Sequence, residues 1–365
     1  MAVHDNPLLG CDLYTLMRAL VDIESVSRNE RYLADCVEDY LDRCPGLITE
    51  RIGNTLVART DQGHSQRVIL AGHLDTVPVA DNLPSRCVNV DGRDMIYGRG
   101  SADMKGGIAC MLWLASHLGQ TNRDLTWIFY DCEEIEAELN GLRALIECRP
   151  DLVDGDFAVV MEPTSARIEG GCQGTMRFDI ITSGVAAHSA RSWLGKNAIH
   201  ELRDVLERIE DFELSTIHVD GLDYREGLNA TRISGGIAGN VVPDEARVHI
   251  NYRFAPDKSA KEALAIMKEW FARWPMEVID LSESARPGLD RAIAHGLIKA
   301  SGKPPAPKYG WTDVARFTSL GIPAVNFGPA DAGKAHAVDE CCPLEDLTRC
   351  VEALTQWLTE PIGEE

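Results

Sequence analysis

Four short apolar runs, residues 68–71, 126–130, 157–161 and 323–327, constrain this chain more than any other feature. A strand with one face in water alternates apolar and polar residues. An unbroken apolar run of this length suits a strand covered on both faces, as in a parallel sheet. Helical spacing appears between the runs: residues 12–41 read as a helix pair with a polar break at 25–31, and 108–118 as a strongly apolar helix. Residues 47–52 and 55–58 flank the turn signal Gly53-Asn54 and read as two further strands. Strands alternating with helices define an α/β domain with a mixed, mostly parallel sheet.

The middle of the chain has a different texture. Residues 176–182 alternate, 198–212 are helical, 228–234 and 246–254 are strands, 259–274 is an amphipathic helix, and 276–281 closes with a strand. This β-α-β-β-α-β order is the split, ferredoxin-like α+β unit, which folds as its own layer. At 365 residues the chain also exceeds the size of a typical single core. The expected organisation is a discontinuous first domain, 1–175 and 288–365, interrupted by an inserted domain at 176–287. The tail from Glu360 reads as frayed.

Charge and cysteines narrow the function. Thirty-six basic against fifty-seven acidic residues give a net charge of -21, which argues against nucleic acid or an anionic membrane surface as partner. No apolar run approaches the ~20 residues of a membrane span. The N-terminus has early acids (Asp5, Asp12) and no basic region before an apolar core, so no secretion leader is expected. Eleven cysteines without a Cys-x-x-Cys pair then read as reduced thiols of a cytoplasmic protein. Cys110, Cys132 and Cys148 read as small core residues.

The chemistry lies at the ends of the apolar runs. Gly72-His73-Leu74-Asp75 follows the first, and Asp131-Cys132-Glu133-Glu134 the second. Glu162-Pro163 ends the third, and Ala335-His336 lies a short loop beyond the fourth. The Gly-rich stretch from Gly98 to Gly107, containing Asp103, leads into the apolar helix. Ligands of open α/β sheets bind at the carboxyl ends of the strands, so these loops are expected to converge. Taken singly, each residue has a structural reading: a core histidine, a loop-capping Asp75, or a solvated acidic face at Glu133–Glu138. Five ligand-type residues (His73, Asp103, Glu134, Glu162, His336) at strand ends are harder to explain that way. Two imidazoles and three carboxylates suit Zn²⁺, with Co²⁺ or Mn²⁺ as substitutes. Five ligands with one bridging Asp fit two metals, which can activate a water and polarise a carbonyl. The spare carboxylate of the Glu133-Glu134 pair then reads as general base.

This ordered set of motifs resembles the dinuclear zinc aminoacylase and carboxypeptidase family, which includes acylases, dipeptidases, acetylornithine deacetylases and succinyl-diaminopimelate desuccinylases. The resemblance implies two zinc ions per chain, with Co²⁺ able to substitute. His73, Asp103 and Glu162 would hold one and Asp103, Glu134 and His336 the other, with the Asp103-Met104 peptide cis. It implies that Asp75 orients His73 and that Glu133 moves the proton. It makes the insert a lid and dimerisation domain of a homodimer, whose His188, in Ala187-His188-Ser189-Ala190, stabilises the oxyanion. Asn240 and Arg253 match positions that contact substrate.

The stretch Trp311-Thr312-Asp313-Val314-Ala315-Arg316-Phe317 resembles the desuccinylase branch, in its actinobacterial form, and places Thr312 and Arg316 at the substrate. Val314 and Ala315 depart from the commoner Asp-Gly-Arg form. Glu133–Glu136 is not soon followed by the usual Gly, and Gly328 to His336 has no Asn. These departures bear on substrate contacts and leave the ligand set intact. The implied substrate is a small N-acyl amino acid. The succinylated diaminopimelate carries three carboxylates, which an acidic protein must meet with focused cations such as Arg191, Arg253 and Arg316. An acetylornithine deacetylase or a dipeptidase would use the same metals and base. A serine hydrolase is disfavoured, since no Gly-x-Ser-x-Gly occurs. A non-catalytic binding protein on the same fold is the remote alternative.

Overall fold

The computed structural model describes residues 6–362. Two compact units divide the chain. One comprises Met1–Gly170, Pro287–Ala306 and Arg316–Glu365, the other Gly171–Arg286 and Pro307–Ala315. Residues 171–175 and 307–315 thus group with the smaller unit and 287 with the larger, unlike the bounds expected from sequence. Of the tail expected to fray, residues 363–365 lie outside the described residues, as does the start of the chain on which the leader expectation partly rests.

In the larger unit an eight-stranded sheet runs in the order Ile48–Ile52, Thr55–Arg59, Asp124–Tyr130, Arg67–His73, Phe157–Val160, Ala324–Asn326, Glu169–Gly170, Ala306–Pro307. The four apolar runs form its centre. Arg67–His73 pairs in parallel with Asp124–Tyr130 and with Phe157–Val160, which pairs in parallel with Ala324–Asn326. Every residue of Asp124–Tyr130 and Phe157–Val160 is buried, as expected of strands covered on both faces. The edge strand Ile48–Ile52 and its neighbour Thr55–Arg59 join antiparallel. Parallel strands in register place their carboxyl ends together, so His73, Asp131 and Met161 all finish at one rim of the sheet.

Helix Lys105–His117 shows why the core sits where it does. Ten of its thirteen residues are buried, and it is apolar almost all round. Such a helix is stable only when covered on every side. Leu13–Asp22, Arg31–Leu41 and Leu344–Thr359 supply the cover through Leu16, Leu20, Val37, Leu347 and Leu354. Each such side chain contributes roughly 1.5–3 kcal/mol by leaving water. Asp12 caps the first of these helices, its carboxylate accepting from the Thr15 N–H at 2.7 Å.

The smaller unit has a four-stranded antiparallel sheet in the order Gly227–Gly235, Glu245–Phe254, Gly174–Ser183, Met276–Ser282. Numbered along the chain this is 2-3-1-4, the ferredoxin-like arrangement. Glu245–Phe254 buries every second residue (Ala246, Val248, Ile250, Tyr252, Phe254), and these meet Leu202, Val205, Ala263 and Met267 from helices Ala198–Glu210 and Ala260–Trp270. Ser259 and Glu262 form a capping box at the second helix. An antiparallel hairpin, Thr216–Val219 with Leu222–Arg225, interrupts the expected order. All eleven cysteines are free thiols; Cys110 and Cys132 are buried, but Cys148 is exposed, contrary to its reading as a core residue. Among the described residues no helix is long and apolar enough to cross a membrane.

Candidate metal centre

His73 is the last residue of its strand and fully buried; its Nε2 lies 3.1 Å from Asp103 Oδ1. Its Nδ1 faces the Asp75 backbone carbonyl at 3.0 Å and Oδ1 at 3.4 Å. The second imidazole, His336, comes from the loop beyond the Ala324–Asn326 strand. Its Nε2 lies 2.9 Å from Glu134 Oε2 and 3.3 Å from Asp103 Oδ2. Asp103 therefore presents one oxygen to each histidine. Two sets of donor atoms, His73–Asp103–Glu162 and Asp103–Glu134–His336, each lie mutually within 4.8 Å and share Asp103.

Local sequence makes this convergence feasible. The Asp103-Met104 peptide is cis, as the resemblance implied. Gly100 adopts φ +79, and a Cβ there would stand 2.6 Å from Thr76 Cγ2. Gly107 lets the apolar helix approach the strand end that carries Glu162, since a Cβ would come within 2.3 Å of the Met161 carbonyl oxygen. Asp75, also fully buried, organises the other ligand loop. Its Oδ1 accepts from the Glu133 N–H at 3.0 Å, and its Oδ2 from the Glu134 N–H at 3.1 Å and the Ser27 hydroxyl at 2.7 Å.

The electrostatics are those of ligands held together by protons. Burial alone would lower the His73 pKa, but Asp103 and Asp75 raise it well above the ordinary imidazole value. Hydrogen bonds to Asp103 and Glu134 push His336 up to about 10. Burial works against ionisation of Asp103, yet the two imidazoles hold it well below the usual carboxylate range. A cluster with two N and several O donors at these distances fits a pair of divalent cations, with Asp103 placed to bridge.

A third group, Glu30, Asp131 and Cys132, also has donor atoms mutually within 4.8 Å. Burial, and then the nearby Glu30 charge, push the Cys132 thiol up to about 12, so it keeps its proton and donates to Glu30 Oε1 at 3.4 Å. That oxygen also accepts the Arg28 and Cys132 N–H groups, which makes Glu30 a brace for the loop.

Within the smaller unit, His188 is exposed and bridges to Val241. Its Nδ1 accepts from the Ala190 N–H at 3.1 Å, which leaves the proton of a neutral ring on Nε2. The Asn240 carbonyl accepts from the Ser189 N–H at 2.9 Å, so Asn240 and His188 are neighbours. Arg191 is exposed in the turn that follows. Arg253 is half-buried with its Nε donating to Asn251 at 3.1 Å; burial, then Arg177, lower its pKa. Thr312 is buried, and its carbonyl accepts the Cys172 thiol at 3.7 Å. Arg316 lies in the short helix Val314–Ser319 and is itself counted with the larger unit.

Sequence reasoning did not single out Ser27, Glu30, Arg99 or Glu340. Each acts on groups that only folding brings near, Ser27 on the Asp75 carboxylate, Glu30 on the Cys132 N–H, and Arg99 and Glu340 on each other and on backbone groups, a relation without local periodicity. The one available hint was that Glu340 closely follows His336.

The chain belongs to the M20/M25/M40 peptidase family, whose model matches residues 69–360. Among curated proteins it is 48% identical over 350 residues to the putative succinyl-diaminopimelate desuccinylase DapE of Mycobacterium tuberculosis, covering 95% of this chain and 98% of that one. The succinyl-diaminopimelate desuccinylase of Corynebacterium glutamicum is 43% identical, with 97% of each chain covered. Among solved structures, a tripeptidase from Staphylococcus aureus superposes with a TM-score of 0.76 over 95% of this chain and 96% of its own, at 20% identity. That likeness concerns the fold.

Proposed function

We propose that this chain is a metal-dependent amidohydrolase that converts N-succinyl-LL-2,6-diaminopimelate and water to succinate and LL-2,6-diaminopimelate, in lysine and cell-wall precursor synthesis. The observation that carries the chemistry is the sharing of Asp103 by two ligand sets. The near full-length identity to two desuccinylases carries the choice of acyl group. We assign zinc as the metal, a homodimer as the working assembly and the cytoplasm as its compartment.

His73, Asp103 and Glu162 would hold one ion, and Asp103, Glu134 and His336 the other. When bound, the pair supplies Lewis acidity at the amide carbonyl. The chain's own residues do the rest. Asp75 fixes the His73 ring and, through the Glu133 and Glu134 N–H groups, the backbone from which the base projects. The Glu133 carboxylate takes a proton from the attacking water and delivers it to the nitrogen of the breaking C–N bond, which leaves as the free amine. His188, with Nδ1 engaged by the Ala190 N–H, would offer Nε2–H to the oxyanion. Asn240, Arg191, Arg253, Thr312 and Arg316 would contact the substrate, the arginines meeting its carboxylates.

Glu133→Gln tests the assignment of the base. It should retain both ions and lose about 10²–10⁴-fold in kcat. Loss of metal in that variant would make Glu133 a ligand and undo its role. Arg253→Ala should raise KM with metal content intact, and an unchanged KM removes Arg253 from the substrate contacts.

A further inference from the structure

The carboxylate of Glu340 takes no part in the chemistry above, yet it sits at the junction of two ligand loops. It is 1% exposed; Oε1 accepts the Ala102 and Asp103 N–H groups, both at 3.0 Å, and Oε2 accepts Arg99 Nη1 at 2.7 Å. Its backbone carbonyl accepts from the Gly98 N–H at 3.1 Å. Arg99, 4% exposed, also donates from Nη1 to the Ala337 carbonyl at 3.4 Å and from Nε to that of Pro78 at 3.0 Å. The loop carrying Asp103 and the loop carrying His336 are thereby cross-linked through a single buried ion pair.

The two ligand sets depend on that link to different degrees. His73 ends a central strand and Glu162 closely follows another, so the sheet itself places them. His336 has no such anchor: it is half-exposed in a loop, at φ +64. Burying both charges is costly unless their hydrogen bonds are made, and here both carboxylate oxygens are used. We propose that Glu340 and Arg99 are a positioning pair that fixes His336 relative to Asp103 and so selects for occupancy of the Asp103–Glu134–His336 position. The proposal rests on the dinuclear reading above.

Glu340→Gln separates the alternatives, because an amide has one acceptor oxygen. Either the two backbone N–H groups or Arg99 must lose their partner. Metal-free wild type and variant would be titrated with Co²⁺, reading bound ion by equilibrium dialysis and coordination geometry by visible absorption. Wild type should bind two equivalents. The variant should bind one with affinity within about threefold of wild type and the other at least about tenfold more weakly, with an altered spectrum. In the variant carrying one ion, adding His336→Ala should change nothing further, whereas adding His73→Ala should abolish binding. Arg99→Lys, which cannot make the same set of bonds, should give a smaller loss of the same kind, and stands in if Glu340→Gln fails to fold. Two equivalents bound as in wild type with the same spectrum would overturn the proposal, as would equal weakening of both. Wild type binding fewer than two equivalents would sink the dinuclear reading itself, a failure told apart because it precedes any substitution.

Discussion

The Asp75 carboxylate accepts from two consecutive backbone N–H groups and a hydroxyl while facing the Nδ1 side of His73. Asp75→Ala removes all these acceptors from a fully buried site, so metal affinity should fall by about 10–100-fold in chelator competition. An affinity within twofold of wild type would contradict the account. The histidines make metal uptake pH-dependent. Both have pKa values raised in the metal-free protein, His336 to about 10, so both rings carry their protons at neutral pH. Cations must displace those protons, so uptake should release protons, and affinity should rise with pH up to about 10. The stability these raised pKa values give the metal-free protein is complete below about 6.5, the unfolded value, and is lost as pH rises through the folded values. Calorimetry at pH near 7.5 in buffers of different ionisation enthalpy reads the proton release directly; heats independent of buffer would contradict it. At this scale the five candidate ligands that the structure brings together were legible because each stands near the end of an apolar run or at the entry to an apolar helix. Glu340 and Arg99 were not, since their partners, each other and several backbone groups, are brought near by folding alone.

Elements were legible in proportion to their burial. The central strands and helix Lys105–His117 announce themselves through unbroken apolar runs, and Glu245–Phe254 through alternation. The hairpin Arg86–Val90 with Arg93–Tyr97 went unread because its first strand is exposed throughout, leaving no apolar period to detect. The hairpin Thr216–Val219 with Leu222–Arg225 covers only the small cluster of Val219, Tyr224 and Ala255. The Leu344–Thr359 helix is amphipathic but carries none of the ligand motifs. Packing of helix against strand gives a prediction at this scale. Gly107→Ala would press a methyl group on the Met161 backbone, which cannot retreat without moving Glu162. It should destabilise the metal-free protein by about 1–3 kcal/mol, seen as a lower denaturation midpoint. Gly119→Ala, where nothing lies within 4 Å, is the control that should change little. An unchanged midpoint for Gly107→Ala would mean the helix is not held against that strand end.

For the whole molecule, the apolar runs and the motifs at their ends pointed to an α/β metal-dependent hydrolase, and membership of the M20/M25/M40 family agrees. The two units differ from the expected bounds at 171–175, 287 and 307–315, where no change in composition marks a boundary. Choice of substrate is the least local property, because it depends on where a few cations stand in a protein of net charge -21. The most direct test is hydrolysis by the zinc-loaded protein of N-succinyl-LL-diaminopimelate and N-acetylornithine, measured side by side as kcat/KM. A preference of at least about a hundredfold for the succinyl substrate is predicted, as expected when arginines that meet its carboxylates are left unpaired by the acetyl substrate. Equal rates or a preference for acetylornithine would contradict the desuccinylase assignment, and hydrolysis of neither would contradict both substrate choices.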